Sequence, residues 1–442
     1  MLYRTMKLKF LYFLSLFLLA LLSVQNISAQ TYQDVRQILI TKCASCHKST
    51  DSEAPFSLET YQDVKKRTRM IKEVIQSNYM PPWMPDSHYQ DFANNRQLSG
   101  EEKEKIIKWI DKGAPQGSKK QQNTLSKTTS PIDRKPDLTL KINKPFIVKG
   151  NNKERFVLFK VPFELLEDKN IEGVEFYSDN KKVVHHVNYM FSSVPDMSVD
   201  LYQGDPYIDN AEETDMKKLM QYEPFQNRPV FYTGWIPGAS VEYYPKDFGW
   251  TLPKRGVVIF TVHYSATAAD EQSTIGVNLY FKKTPAKRPV RIISLGSGGI
   301  GEKDIYPRFV IPPDQESTFS LKIRTPEDQS LLYVWPHMHY LGKDFKAFAV
   351  TLQNDTIPLI HIPKWNFEWQ EMYRMKKLVK VPAGSTINIV GTFDNTANNP
   401  QNPNSPPKYV YSTGNMTSTD EMLTFLLIYA PYQSGDEEIL LE

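Results

Sequence analysis

Histidines and methionines with metal-binding potential are clustered in this 442-residue chain. The sequence holds eight histidines, and five of them fall in three clusters that are followed by a distant methionine. The set is His185-His186, His263, His337-Met338-His339 and Met422. Imidazole suits copper, zinc, iron and nickel, and a thioether ligand favours Cu(I). The layout therefore predicts two metal sites with different ligand sets, and copper is the metal to consider first.

A further group of candidate ligands is Cys43-Ala44-Ser45-Cys46-His47, the attachment signature of c-type haem. Two thiols on one helical turn can add to the two haem vinyl groups, and His47 then presents its imidazole to the iron. The chain has two cysteines in all, so a zinc site here would lack ligands, and a redox dithiol would not need His47. The motif predicts one covalently attached haem c.

The second axial ligand of that haem is sought in Met80-Pro81-Pro82-Trp83-Met84. Two prolines fix the backbone there and would hold a thioether rigidly toward the iron. Met80 is the predicted ligand, with Met84 and His88 as alternatives.

Helical patterns surround the haem motif. Before it, apolar residues recur at helical spacing, and after it Ser99 and Glu102 form a capping box. Gly113 is placed as the stop of this later helix. The pattern over residues 30–117 resembles small class I-like c-type cytochrome domains, whose closing helix packs against the N-terminal helix.

The N-terminus has the pattern of a secretory signal peptide. Residues 1–29 combine three basic residues, an apolar run from Phe10 to Leu22 and small residues that end at Ala29. We therefore expect export to the periplasm and no stable membrane anchor. Without this segment the chain has 50 basic and 50 acidic residues, and this balance gives no indication of a nucleic-acid partner.

Residues 118–135 are polar and lack periodicity, which is typical of a linker. From Pro136 onward, short alternating apolar runs are broken by turn residues, as in antiparallel sandwiches or jelly rolls. The length favours two domains, 136–285 and 286–442. The predicted fold is multidomain: a small all-α c-type cytochrome domain followed by two all-β jelly-roll (antiparallel sandwich) domains.

Three of the metal-ligand candidates can be placed on predicted strands. His263 lies in the strand Val257–Tyr264, where side chains alternate between the two faces. His337 and His339 are two residues apart and so face the same side, as chelation of one ion requires. Pro336 cannot donate to a strand ladder, so it predicts a sheet edge or a strand end at this point.

The other candidates need more specific geometry. Consecutive strand residues face opposite sides, so His185-His186 can bind one ion only at a twist, a bulge or a strand end. Met422 is expected within a strand Glu421–Tyr429, on the same face as Thr424 and Leu426. Taken singly, each of these residues is more typical of ordinary packing than of a metal site.

Taken together, the motifs resemble the copper type II, ascorbate-dependent monooxygenases, the family of peptidylglycine α-hydroxylating monooxygenase and dopamine β-monooxygenase. The motifs that carry the resemblance are Val184-His185-His186, Val262-His263-Tyr264, His337-Met338-His339-Tyr340-Leu341-Gly342-Lys343 and Ser418-Thr419-Asp420-Glu421-Met422. The resemblance implies two jelly-roll domains with one copper each. It assigns His185, His186 and His263 to an electron-transfer copper. It assigns His337, His339 and Met422 to the catalytic copper that binds dioxygen.

Two departures from the family are visible. Family members carry disulfides in this region, and this chain has no cysteine there. In the peptide-acting branch an arginine before the His-x-His, with Asn and Tyr beyond the methionine, holds the substrate carboxylate. Those positions hold Trp335, Thr424 and Leu426 here, so the bidentate charge clamp is missing. We therefore expect an apolar or aromatic small-molecule substrate.

The function predicted from the sequence is hydroxylation of a substrate C–H bond with O₂ by an exported copper monooxygenase. A periplasmic electron donor or an ascorbate-like reductant would supply electrons, which the haem would pass to the three-histidine copper. Two alternatives remain open at this point. One is a haem and copper oxidoreductase that passes substrate electrons to the haem, and the other is a non-enzymatic periplasmic copper-binding or electron-transfer protein.

Overall fold

The computed structural model describes residues 30–44, 46–48, 54, 56–117, 132, 134–209, 216–239, 241–245, 247–412 and 419–441. The predicted signal peptide (1–29) and most of the predicted linker (118–135) lie outside the described residues. Within the described residues, no helix has the length and apolar character that a membrane crossing requires.

Four helices come first among the described elements, and the strands follow with one short helix between them. The helices are α1 (Tyr32–Lys42), α2 (Tyr61–Lys65), α3 (Thr68–Gln76), α4 (Gly100–Asp111) and α5 (Met216–Met220). The strands of the first half of the β-rich region are β1 (Leu138–Lys141), β2 (Phe146–Val148), β3 (Arg155–Glu164), β4 (Lys169–Ser178), β5 (Val184–Ser193), β6 (Tyr207–Asp209), β7 (Pro229–Trp235), β8 (Glu242–Tyr243), β9 (Phe248–Leu252), β10 (Arg255–Tyr264), β11 (Glu271–Ser273), β12 (Ile275–Phe281) and β13 (Arg288–Pro289). Those of the second half are β14 (Arg291–Gly296), β15 (Val310–Ile311), β16 (Glu316–Arg324), β17 (Gln329–His337), β18 (Gly342–Val350), β19 (Thr356–Ile362), β20 (Tyr373–Val381), β21 (Thr386–Asp394), β22 (Val410–Tyr411) and β23 (Thr424–Pro431).

Helices α1 to α4 form a helical unit with a core of its own. Its first and last helices pack together, with the rings of Tyr32 and Trp109 centred 5.9 Å apart. The predicted capping box is confirmed, because the Ser99 hydroxyl accepts from the Glu102 backbone and the Glu102 carboxylate accepts from the Ser99 backbone. Gly113, just beyond α4, has a φ of +81°, which ends the helix without steric cost.

The first β unit consists of two larger sheets that face each other. One sheet has the order β6-β3-β10-β5-β7, and the other has β1-β12-β4-β9-β13 with β8 beside β4. Aromatic rings fill the space between them. Phe231 of β7 stacks on Trp250 of β9, with centroids 4.6 Å apart and planes 3° apart. Large flat rings of this kind bury much apolar surface and hold the two sheets together.

The second β unit repeats this two-sheet plan. Its sheets have the orders β14-β23-β17-β20 and β16-β21-β18-β19. Phe345 of β18 and Phe425 of β23 meet between them, with centroids 5.6 Å apart. Strand β13 still pairs with β9 of the first unit, so the chain crosses to the second unit between Pro289 and Arg291. The prediction of a mostly β chain built from antiparallel sandwiches is confirmed.

Strand β17 is buried on both faces and does not alternate between buried and exposed positions. One face of its sheet covers the second unit's core, and the other meets the first unit. There the Tyr333 hydroxyl donates to the carbonyl of Tyr243 at 2.8 Å and accepts from its N–H at 3.1 Å. A strand covered on both faces can be apolar throughout, since neither face meets water.

The segment after α3 fastens the helical unit to the second β unit. The Asp86 N–H donates to the carbonyl of His361 at 2.8 Å, and the Ala93 N–H donates to the carbonyl of Arg374 at 2.8 Å. Phe92 and Met375 form an isolated antiparallel β-bridge next to the second of these contacts. The predicted haem-attachment motif therefore belongs to a unit that packs directly on the second β unit.

Candidate metal centres

Folding brings three histidines from two neighbouring strands to one point. The Nδ1 atom of His185 lies 3.1 Å from Nδ1 of His186 and 3.1 Å from Nδ1 of His263. All three ligand atoms fall within 4.8 Å of one another. Nitrogen ligands bind copper or zinc at about 2.0–2.1 Å, so neighbouring ligands of one ion lie about 3 Å apart. The three Nδ1 atoms therefore have the spacing of a shared metal ion.

A β-bulge explains how two consecutive histidines can face the same point. In the ladder between β5 and β10, His263 pairs with His186, and Tyr264 pairs with Val184. His185 is the extra residue between those pairs, so the alternation of side chains is broken there. The bulge that the sequence required for a His-His pair is present.

The ring of His263 is held from two sides. Its Nε2 lies 3.1 Å from the Glu154 carboxylate, and its face stacks on Phe156 with centroids 4.1 Å apart. The neighbouring His263 ring lowers the pKa of the Glu154 carboxyl. The Nε2 side of the His263 ring therefore faces the carboxylate, while its Nδ1 lies 3.1 Å from Nδ1 of His185.

The second cluster comes from the end of β17. His337 is the last residue of that strand and His339 follows it, with their Nε2 atoms 3.1 Å apart. His339 Nδ1 donates to the carbonyl of Asp420 at 3.0 Å, so the lone pair of this ring lies on Nε2, which faces His337. Pro336 marks a strand end as predicted, although β17 is a central strand rather than an edge.

The prediction that Met422 lies in a strand from Glu421 is wrong, because β23 begins at Thr424. Before that point the chain turns toward the His-x-His segment. The buried Glu421 carboxylate accepts backbone N–H bonds from His339 at 2.9 Å and Leu341 at 2.6 Å. These bonds hold the segment before β23 against the His-x-His segment, and half-buried Met422 is the next residue along the chain.

Burial holds four of these five histidines neutral. Burial lowers the pKa of His185 to about 4 and the pKa of His337 to about 3. Burial also lowers the pKa of His186 and His339. A histidine must lose its proton to bind a metal ion, so these rings are already in the required form at neutral pH.

One aromatic ring borders both clusters. The centroid of Phe367 lies 5.9 Å from the ring of His186 and 5.6 Å from the ring of His339. The rings of His185 and His263 are 6.3 and 6.4 Å from it. The two clusters therefore share a single buried side chain as a neighbour.

The candidate haem ligands lie on the turn after α1. The His47 N–H donates to the carbonyl of Cys43 at 3.0 Å, which continues the helical turn through the motif. His47 Nδ1 lies 3.0 Å from the carbonyl of Phe56, so Nε2 carries the lone pair. Burial lowers the pKa of His47, which keeps the ring neutral. Cys46 lies on the same turn, and this donor set fits an axial haem ligand beside two attachment thiols.

The three candidates for the second axial ligand have different surroundings. Met80 is half-buried just after α3, and its N–H donates to the carbonyl of Val74 at 3.1 Å. Met84 packs against the large core of the β units. His88 is exposed on a turn.

Trp335, Thr424 and Leu426 are all buried. The indole of Trp335 stacks on Tyr232 with centroids 5.8 Å apart, and its Nε1 donates to the carbonyl of Gln370 at 3.0 Å. A Cβ on Gly234 would lie 2.5 Å from this indole, so only glycine fits opposite it. Trp335 thus joins the second β unit to the first.

Sequence reasoning missed Glu154 and Phe367. Each one reaches a histidine that is far away in the chain, and no spacing rule connects them. The segment at 363–372 does carry one local signal, since Trp365, Phe367 and Trp369 alternate with polar residues in a stretch without strand character.

No protein-family model and no curated protein matches the chain. Among solved structures, one titled "Structure of PNGF-II in C2 space group" aligns at 7% identity with a TM-score of 0.26, over 67% of this chain and 65% of that one. An allantoicase aligns at 10% identity and a TM-score of 0.17, over 57% and 83% of the two chains. The VP2 subviral particle of infectious bursal disease virus gives 11% identity and 0.16, over 68% and 80%. This chain thus spans just under two thirds of the PNGF-II chain. TM-scores this low carry no argument about function.

Proposed function

We propose that this protein is a copper-dependent monooxygenase, exported to the periplasm, that hydroxylates a C–H bond of a small molecule and receives electrons through a fused c-type haem. It would belong with the copper type II, ascorbate-dependent monooxygenases, with two jelly-roll domains behind the haem domain. The observation that carries the proposal is the pair of histidine clusters, each with ring nitrogens 3.1 Å apart and both bordering Phe367.

The residues present fit two copper ions of different character. His185, His186 and His263 would hold one ion through Nδ1 atoms. His337 and His339 would hold the other through Nε2 atoms, with Met422 as the thioether ligand. Bound there, two coppers would supply the two electrons needed to place one oxygen atom of O₂ in a C–H bond while the other atom leaves as water with two protons.

The protein's own part in this chemistry is to orient and shield. The carbonyl of Asp420 fixes the orientation of the His339 ring, because it accepts the proton of Nδ1. The Glu154 carboxylate faces Nε2 of His263 at 3.1 Å. Trp365 donates its indole N–H to the carbonyl of His339 at 3.2 Å, and buried Trp365 and Phe367 would shield the space beside the clusters.

The haem would be attached at Cys43 and Cys46, with His47 as one axial ligand and Met80 as the other. An external electron donor, either a periplasmic protein or an ascorbate-like reductant, would reduce it. The peptide clamp of the family is replaced by Trp335, Thr424 and Leu426, so a substrate carboxylate has no charged partner at those positions. We propose an apolar or aromatic small substrate.

The test starts with metal and haem content. Wild-type protein loaded with copper should hold two coppers and one haem per chain. His339→Ala should lose about one copper and abolish substrate-dependent O₂ uptake across a panel of small aromatic and apolar compounds. The matched control is His361→Asn, since His361 pairs with Asp344 at 3.0 Å and belongs to neither cluster. It should keep both coppers.

The outcomes separate the candidate functions. Substrate-dependent O₂ uptake with hydroxylated product supports the monooxygenase. Substrate oxidation that reduces the haem without O₂ uptake would instead favour the oxidoreductase. Tight copper binding with no O₂ uptake under any reductant would favour a copper or electron carrier.

A further inference from the structure

The glycine-rich turn at residues 296–301, at the end of β14, lies against Met422. Among the described residues, a Cβ on Gly298 would meet only the Cε methyl of Met422 within 4 Å, at 3.6 Å. The φ of Gly298 is +71°, a conformation that glycine adopts without strain. The tip of the Met422 side chain therefore packs over this turn.

Ser297 fastens the turn to the two residues that follow Met422. Its N–H donates to the carbonyl of Leu423 at 2.9 Å, and its hydroxyl accepts from the Leu423 N–H at 3.1 Å. Its carbonyl accepts from the Thr424 hydroxyl at 2.8 Å. Ser297 is 1% exposed and Leu423 is fully buried, so a lost bond here would leave a polar group without water to replace its partner.

Glu421 holds Met422 from the preceding side. The Glu421 carboxylate accepts the N–H of Met422 at 3.3 Å, in addition to those of His339 and Leu341. The backbone of Met422 is therefore fixed through both of its neighbours in the chain.

A shared core contact shows which way the side chains of this region point. Met338 and Leu423 both pack on Gly391 of β21, where a Cβ would lie 3.3 Å from Met338 Sδ and 2.6 Å from Leu423 Cδ1. Met338 therefore keeps its sulfur in the core. Successive side chains of an extended chain point to opposite faces, so the neighbours of both residues face away from this core. Those neighbours are His337, His339, Met422 and Thr424.

The register of the sheet brings these neighbours to one place. His337 pairs with Thr424 of β23, and Gly296 of β14 pairs with the same threonine. Cross-strand partners share a face of the sheet. Met422 precedes Thr424 by two residues and His339 follows His337 by two, so in antiparallel strands both are displaced toward the same end. The thioether and the two imidazoles therefore belong to one end of one sheet face.

We propose that Ser297 is a positioning residue for the methionine ligand of the two-histidine site. Its bonds to the segment after Met422 set the backbone from which the thioether extends, and Gly298 leaves room for the tip of that side chain. This inference rests on the proposed function and deepens it. A thioether favours Cu(I), so its placement should set the Cu(I) affinity of this site.

The experiment measures copper–sulfur bonding rather than turnover. Full-length protein carrying haem is loaded with Cu(I) without oxygen, sulfur ligation is measured by X-ray absorption at the copper edge, and Cu(I) affinity by competition with a chelator. Wild-type protein should show one sulfur for two coppers, and Met422→Leu should lose it. Ser297→Ala should at least halve the sulfur contribution and weaken Cu(I) binding at this site at least tenfold. The three-histidine site should keep its affinity in both variants.

Ser330→Ala is the matched control for the loss of a buried hydroxyl. Ser330 is a fully buried serine of β17, and its hydroxyl donates to Asp436 at 2.6 Å. Its substitution also removes a buried hydrogen bond from the second β unit, but it should keep the wild-type sulfur contribution and Cu(I) affinity. Equal losses in Ser330→Ala and Ser297→Ala would show general destabilisation and overturn the proposal.

Gly298→Ala keeps the test decisive if Ser297→Ala does not fold. A Cβ at this φ is strained and should shift the turn beneath Met422, which should lower the sulfur contribution. The control is Gly435→Ala, because Gly435 has a φ of +92° and a Cβ there would meet no described atom within 4 Å. Gly435→Ala should retain full sulfur ligation. Unchanged ligation in Gly298→Ala would count against the proposal.

Failure of this inference can be told apart from failure of the proposed function. Sulfur ligation that is lost in Met422→Leu but intact in the Ser297 and Gly298 variants would overturn the positioning role and leave the proposed function standing. Sulfur ligation that survives in Met422→Leu would overturn the role of this methionine and of Ser297 with it. Absence of copper from loaded wild-type protein would overturn both proposals.

Discussion

Neighbouring groups orient one ring in each histidine cluster. The Glu154 carboxylate faces Nε2 of His263, and Nδ1 of that ring faces His185. The carbonyl of Asp420 accepts from Nδ1 of His339, which leaves Nε2 facing His337. The two candidate sites therefore differ in ring orientation as well as in the number of histidines, and partners of this kind tune both affinity and geometry.

At the same scale, the buried Glu242 makes stability depend on pH. Its carboxyl accepts hydrogen bonds from the hydroxyls of Thr233 and Tyr244 between the β units. Burial raises the pKa of Glu242 from 4.5 to about 8. Between those values the unfolded chain has released the proton and the folded protein keeps it. The contribution of Glu242 to the free energy of unfolding therefore falls as pH rises from about 4.5 to about 8, and is constant on either side.

Glu242→Gln should remove this contribution, while the buried carboxyl of Glu421, whose pKa burial also raises to about 8, keeps its own. The gain in unfolding free energy relative to wild type should be small at pH 5 and on the order of 3–5 kcal/mol larger at pH 8. Urea denaturation at the two pH values measures the difference. Glu175→Gln, which changes a half-exposed carboxylate hydrogen-bonded to Tyr280, is the control and should keep the wild-type slope. An unchanged slope in Glu242→Gln would contradict the assignment.

At the scale of elements, regular strands and helix ends were predictable, while irregular segments were not. Strand β10 and the cap of α4 follow local rules of alternation and capping that the sequence displays. A bulge at His185 could be required by the sequence, but its position depends on pairing between distant strands. The start of β23 was misplaced because Glu421 binds backbone N–H groups some 80 residues earlier in the chain.

The contacts of the loop at 363–372 could not be predicted from the sequence either, because they join residues that are distant in the chain. We expect Phe367→Ala to lower the free energy of unfolding by about 3–5 kcal/mol, since it removes a buried ring from beside packed histidines. It should also change the Cu(II) electron paramagnetic resonance spectra of both sites, because the ring borders both clusters. Denaturant unfolding and spectra of protein loaded at each site measure the two effects.

Phe309→Ala is the matched control for that prediction. Phe309 is a half-buried ring that packs on Phe319 and Phe393 in the second β unit, away from the histidines. Its loss should destabilise the protein without changing either copper spectrum. Spectra altered equally by both substitutions would mean that Phe367 acts through general packing alone.

At the scale of the whole molecule, one buried ion pair stands where the three units meet. Arg96 belongs to the helical unit, its partner Glu371 to the second β unit, and its hydrogen-bond acceptor Gly238 to the first. Breaking a buried pair on one side leaves an unpaired charge and costs about 3–5 kcal/mol, whereas replacing both partners by apolar groups costs far less. The joint therefore fixes how the haem motif sits on the β units.

We expect Arg96→Met to lower the free energy of unfolding by about 3–5 kcal/mol, and Glu371→Leu in the same protein to recover most of that loss. Arg134→Met is the control, because Arg134 pairs with Glu172 in a partly exposed bridge whose loss should cost about 1 kcal/mol or less. Denaturant unfolding followed by circular dichroism measures all three. A double variant no more stable than Arg96→Met would show that the arginine acts through its bonds to Gly238 and Pro82 rather than through Glu371. Recovery in the double variant would instead locate the joint in the ion pair itself.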